Sequence, residues 1–191
     1  RKGVRAADKI APNEHLTITP RIVFQRVEMD GWNRIDTYNI LANPFTTTRP
    51  PVTLDDPRQF TQIGEPFTDE FVLADVSLRY GFGKVQLASV TSYTHRDILV
   101  VRVAGALTSS ITGGSIGLPA QVYTLNAPLD NATTAKVWTQ ELRLSGSTSK
   151  LQWVVGGFFS DTQRHYGQDL LVAGFQDLTG IPTQGLRAPK D

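Results

Sequence analysis

The sequence predicts an all-β chain: an antiparallel meander of about six long strands, part of a transmembrane β-barrel with long extracellular loops. Alternation is the first reason. Val72, Ala74, Val76, Leu78 and Tyr80 interleave with Leu73, Asp75, Ser77 and Arg79, and only a strand turns a period of two into one apolar and one polar face. Strand length is the second. A tilted strand needs about 9–11 residues to cross the hydrocarbon layer, whereas strands of soluble domains centre on about 5–6, and most of the alternating stretches run beyond ten or so. The third is a rhythm in which tight turns alternate with long loops, three of each, as expected when short turns face the periplasm and loops face outward.

The first strand is expected over 3–10. There Asp8 falls in the apolar register of Val4, Ala6 and Ile10, where a lipid-facing carboxylate costs about 1 kcal/mol near the interface and more at mid-depth. Ala11-Pro12-Asn13-Glu14 turns the chain into a second strand at 15–29, with Leu16, Ile18, Ile22 and Phe24 on one face and Thr17, Thr19, Arg21 and Gln25 on the other. Residues 30–66 hold Pro44, Pro50, Pro51, Pro57 and Pro66 among Asn, Asp and Thr, a composition that turns without building an element. Strands at 67–80 and 84–99 form a hairpin across Gly81-Phe82-Gly83. After a Gly/Ser/Thr-rich loop over 101–133, strands at 134–145 and 150–166 form another across Gly146-Ser147-Thr148-Ser149, and the tail from Gly167 reads as loop. Tyr80, Phe82 and Trp153 lie close to tight turns, as girdle aromatics or sheet-rim aromatics do.

Composition narrows the function. The chain of 191 residues carries 19 basic and 18 acidic residues, so nothing argues for a nucleic-acid partner. Without cysteine there is no disulfide framework and no thiolate metal site. Apolar runs of about 18 residues are absent, so no helix spans a bilayer, and a mean hydropathy of -0.19 is compatible with strands that hide half their residues from lipid. Opening on Arg1 without a charged-then-apolar leader, the chain is expected to lack its signal peptide or to be an internal piece of a longer one.

At Trp138-Thr139-Gln140-Glu141-Leu142-Arg143-Leu144-Ser145, followed by a polar turn and Leu151-Gln152-Trp153-Val154-Val155-Gly156-Gly157-Phe158-Phe159-Ser160, the sequence resembles the "QELRL, turn, L-x-W-x-x-G-x-F/Y" signature of TonB-dependent receptor barrels. Val85-Gln86-Leu87-Ala88-Ser89-Val90-Thr91-Ser92-Tyr93 is similar to the preceding "L-T-S-V-T-x-Y" strand of that family. Pro12-Asn13-Glu14-His15-Leu16-Thr17-Ile18-Thr19-Pro20 is similar to its "P-N-D-x-L-T-I-x-P" turn and strand. The pieces come in family order over most of the chain. The resemblance implies a segment of an outer-membrane nutrient receptor of a Gram-negative bacterium, for a siderophore, cobalamin or carbohydrate. Its partners would be outer-membrane lipid, the rest of a barrel of about 22 strands with its plug, the TonB complex through a more N-terminal region, and the small-molecule nutrient. With about six strands and no plug, the chain reads as a middle slice, whose open edges other strands must cover.

Arg21, Asp75, Arg79, Glu141 and Arg143 alternate with apolar neighbours and are expected to face the lumen, as plug contacts or as a hydrated wall. Ligand capture falls to the loop residues Trp32, Arg34, Tyr38, Arg49 and Tyr123, because aromatics and arginines supply stacking and bidentate contacts. No catalytic residue, metal or cofactor is assigned. Gly113-Gly114-Ser115-Ile116-Gly117 has the nucleophile-elbow spacing, but a Ser/Thr/Gly loop precedes it and Pro119 follows, so no helix can start there. His15, His95 and His165 lack ligand spacing, and Gly81-Phe82-Gly83-Lys84 lacks that of a phosphate loop. Asp55-Asp56, Asp69-Glu70 and Asp75 could hold calcium or act as paired carboxylates, though solvated acids are the commoner case. Asn131-Ala132-Thr133 is a sequon without meaning in a bacterial envelope. Two other function classes stand beside the receptor. A soluble β-sandwich module binding glycans explains loops and aromatics but not strand length, and a hydrolase using Ser115 or a carboxylate pair lacks partners.

Overall fold

A computed structural model describes residues 1–32, 63–104, 119, 121, 122 and 125–182. Six strands appear in chain order: β1 (Lys2–Ala7), β2 (Leu16–Met29), β3 (Phe67–Phe82), β4 (Val85–Val103), β5 (Pro128–Ser147) and β6 (Gln152–Leu170). They form one antiparallel sheet in sequence order, open at β1 and β6. Consecutive strands are therefore neighbours throughout, the arrangement that short, uncrossed connections favour. No second sheet is present among the described residues, so the two-layer packing of a sandwich is not seen. From β2 to β6 the strands are 14 to 20 residues long.

The chain divides into two compact units. The first comprises Arg1–Val27, Asp69–Asp97 and Thr133–His165 and contains all three tight turns. They lie at the same end of the sheet: the Gly81 N–H donates to the His15 carbonyl at 2.9 Å, and the Ser147 N–H to the Lys84 carbonyl at 3.3 Å. In the first turn Asn13 Oδ1 accepts the N–H groups of His15 and Leu16 at 3.0 and 2.9 Å. The β3–β4 hairpin turns on Gly83-Lys84, one step later than expected. Gly83 has φ 69°, and no other residue type has positive φ among the described residues. Positive φ at the first central position alone is the pattern of a type II′ turn, whose twist suits a hairpin. The β5–β6 turn likewise shifts to residues 148–151, where Thr148 Oγ1 accepts the Leu151 N–H at 3.1 Å.

The first strand is shorter than expected. β1 ends at Ala7, which pairs with Arg21, and the next residue in that register faces Pro20. Proline has no N–H to give the ladder. Asp8 still donates its N–H to the Pro20 carbonyl at 3.1 Å, while its side chain accepts the Lys9 N–H at 2.8 Å, a local bond that competes with strand geometry. Pairing resumes only as an isolated bridge between Ile10 and Ile18.

The second unit comprises Glu28–Thr68, Ile98–Ala132 and Tyr166–Asp191. It holds most of the fully buried apolar side chains described: Ala104, Val122, Ala127, Val172 and Phe175, with Leu125, Leu129 and Leu170 packed against them. This cluster corrects two expectations. The loop expected over 101–133 is narrower, because β4 runs on to Val103 and β5 starts at Pro128, a residue tolerated at the first position of a strand. The tail expected as loop from Gly167 continues β6 to Leu170 and then forms a short helix, α1 (Phe175–Thr179), between Gly174 and Gly180 at φ 76° and 72°. Phe175 drives that turn, since burying its ring contributes about 2–3 kcal/mol.

Candidate functional site

Cross-strand contacts define the two faces of the first unit. Arg21 on β2 bonds Asp75 on β3, Arg96 on β4 bonds Asp69 on β3, and Ser92 on β4 meets Thr139 on β5. With a period of two, these residues share one face with Arg79, Glu141 and Arg143. The opposite face carries Val4, Ile22, Val76, Trp138 and Leu142, each between 44% and 63% exposed. Trp153 lies over Gly146, where an added Cβ would stand 2.7 Å from the indole ring. Polar groups interrupt this apolar face: Gln140 accepts from Thr91 Oγ1 at 2.5 Å and donates to Ser89 Oγ at 2.9 Å, and toward the far ends of the strands it carries Arg26 with Glu70 and Asp97 with His95 and Thr134. Near the turns, the Tyr80 and Phe82 rings lie 4.6 Å apart and His15 is 6.4 Å from Tyr80.

The polar face is laced with ion pairs. Arg21 Nε donates to the buried Asp75 carboxylate at 2.6 Å. Arg96 clamps the buried Asp69 with both prongs of its guanidinium, 2.9 Å from Oδ1 and 2.6 Å from Oδ2. Arg143 Nε stands 2.8 Å from Glu141 Oε1 two residues back on β5. Of the five residues expected to face a lumen, four are thus joined in two pairs. Arg79 is exposed and lies instead beside Lys9, Thr17, Thr19 and Ser77. Sequence reasoning missed the Arg96–Asp69 clamp: alternation places Asp69 on the face of Asp75 and Arg96 on that of Ser92, but does not set the two opposite each other. Asp69 and Glu70 are strand residues, within the strand expected over 67–80, and Glu70 stands 3.7 Å from Arg26.

In the second unit Trp32 is already engaged. Its Nε1–H donates to the Val101 carbonyl at 3.4 Å, Phe67 meets its ring edge-on at 5.6 Å, and the Arg102 guanidinium sits 4.8 Å above it. The other expected loop residues, Arg34, Tyr38, Arg49 and Tyr123, lie outside the described residues, as do Ser115, Asp55 and Asp56. Asn131 of the sequon is woven into the sheet: its Oδ1 accepts from Tyr166 Oη at 2.9 Å and Gln168 Nε2 at 2.7 Å. Glu65, also buried, accepts the Val103 N–H at 2.8 Å.

A histidine and a carboxylate form a further pair. In the first unit His95 Nε2 lies 2.7 Å from Asp97, whose other oxygen accepts from Thr134 Oγ1 at 2.7 Å. The hydroxyl bonds the carboxylate and not the imidazole, so the geometry does not activate Thr134 as a nucleophile. No group of three or more His, Cys, Asp or Glu side chains that could hold a metal occurs among the described residues. No protein-family model matches the chain, and no curated protein matches it.

Proposed function

We propose that this chain forms a stretch of the wall of a transmembrane β-barrel, in an outer-membrane nutrient-uptake receptor of the TonB-dependent kind. The observation that carries the reading is the exposed apolar face of a single-layered sheet. In water, contiguous apolar surface beyond a few hundred Å² marks a place where something else packs. Lipid suits an apolar face carried by strands of 14 to 20 residues, longer than the roughly 9–11 a crossing needs. The tight turns at one end and the motif resemblance support the same reading. On it, Val4, Ile22, Val76, Trp138 and Leu142 meet acyl chains, and the ion-paired face borders the lumen. The nutrient is a siderophore, cobalamin or carbohydrate. Wall residues of this kind supply shape and electrostatics and perform no covalent step.

Tryptophan emission tests the proposal. Reconstituted in bilayers whose acyl chains carry bromine, the chain should be quenched through Trp138 and Trp153, and Trp138→Phe should remove a large share of that quenching. A chain that stays monomeric in detergent-free buffer, with its emission indifferent to brominated lipid, would refute it.

A further inference from the structure

The polar face of the first unit carries more positive charge than it neutralises. Among the described residues its carboxylates are Asp69, Asp75 and Glu141, and each is held by an arginine of the same face, Arg96, Arg21 and Arg143 respectively. Arg5 pairs in register with Val23 and so shares this face with Arg21. Arg5, Lys9 and Arg79 make no ion pair among the described residues. Two of these three cations line one depression of about 300 Å³, whose other walls are Thr17, Thr19 and Ser77. Every side chain of that lining donates hydrogen bonds, and none is a carboxylate.

We propose that the depression formed by Lys9, Thr17, Thr19, Ser77 and Arg79 binds a small, multiply charged oxyanion of the phosphate type. An ammonium, a planar guanidinium fork and three hydroxyls offer more donors than the two oxygens of a carboxylate can accept. A phosphate group brings three acceptor oxygens and a charge of about -1.5 to -2. Four of the five lining residues stand on strands, Thr17 and Thr19 alternating along β2 and Ser77 and Arg79 along β3. The site lies wholly on the polar face, so the inference does not depend on lipid covering the apolar one.

The full chain in non-ionic detergent, titrated calorimetrically with inorganic phosphate and separately with a sugar phosphate, tests this inference. Saturable binding of one equivalent is expected, and preference for one probe distinguishes the free anion from an ester. The Lys9→Gln/Arg79→Gln variant should bind at least about tenfold more weakly, whereas Arg143→Gln, which removes a cation already paired, should stay within about twofold. Far-UV circular dichroism checks that each variant keeps its strands. Wild-type affinity in the folded double variant, or binding that chloride at matched ionic strength abolishes equally, would overturn the site in favour of diffuse charge.

Discussion

The Arg21–Asp75 pair sets the most exacting condition on any single residue. Asp75 is buried and its arginine partly exposed, so the two members are not equivalent. Removing the arginine strands a carboxylate away from water, a costlier state than the pair. Arg21→Ala should lower stability by about 1–3 kcal/mol, and adding Asp75→Asn should restore part of that loss. Urea unfolding in detergent reads both, and equal stability of Arg21→Ala and the parent would refute the argument. Gly146 is constrained differently, by shape. A methyl group there meets the Trp153 ring at 2.7 Å, and aromatic carbons cannot yield that far without swinging the indole away. Gly146→Ala should therefore shift tryptophan emission, a change that a spectrum of the variant would show or exclude.

At the scale of elements, the hairpin β3–β4 depends on a backbone conformation and α1 on a side chain. Gly83 at φ 69° lies where an L-residue with a Cβ costs about 1–2 kcal/mol. Gly83→Ala should destabilise by about that amount, whereas Lys84→Ala, at negative φ, should stay within about 0.5 kcal/mol. Phe175 is 3% exposed within the cluster of the second unit. Phe175→Ala should cost about 3–5 kcal/mol and raise amide exchange chiefly in Val122, Ala127 and Val172. Uniform exchange throughout the sheet would instead show that the cluster is not a cooperative unit of its own.

At the scale of the whole sheet, the two edges left open among the described residues dominate. β1 is short, but β6 runs 19 residues and carries Val154, Val155, Phe158 and Phe159 exposed on both its faces. Unpaired N–H and C=O groups beside such side chains template further strands. The isolated chain should associate when detergent is diluted, and Phe158→Lys should slow that association, as light scattering would record. In the membrane the complementary prediction concerns the apolar face. Leu142→Arg should cost about 2–4 kcal/mol if the residue sits near mid-bilayer, and an unchanged folding equilibrium in lipid would place that position elsewhere.

Much of this architecture is local in origin and therefore legible in the sequence. A period of two requires only neighbouring residues, so the alternation around Asp75 and around Glu141 revealed the strands, both faces and the two hairpins before any contact was known. Turn chemistry is equally local, which is why the three tight connections were visible from Asn13, the glycines of the β3–β4 turn and the polar run after Ser145. Pairing between distant strands is another matter. That Arg96 closes on Asp69, that Pro20 stands opposite Asp8 and ends β1, and that Trp32 receives Arg102 depend on register between segments far apart in the chain, which no local pattern encodes. The same holds for α1, whose five residues fold against a cluster gathered from three stretches of chain. Sequence alone determined which side chains each strand presents to either face; tertiary structure decided which of them meet, because that choice is made across the ladder and not along it.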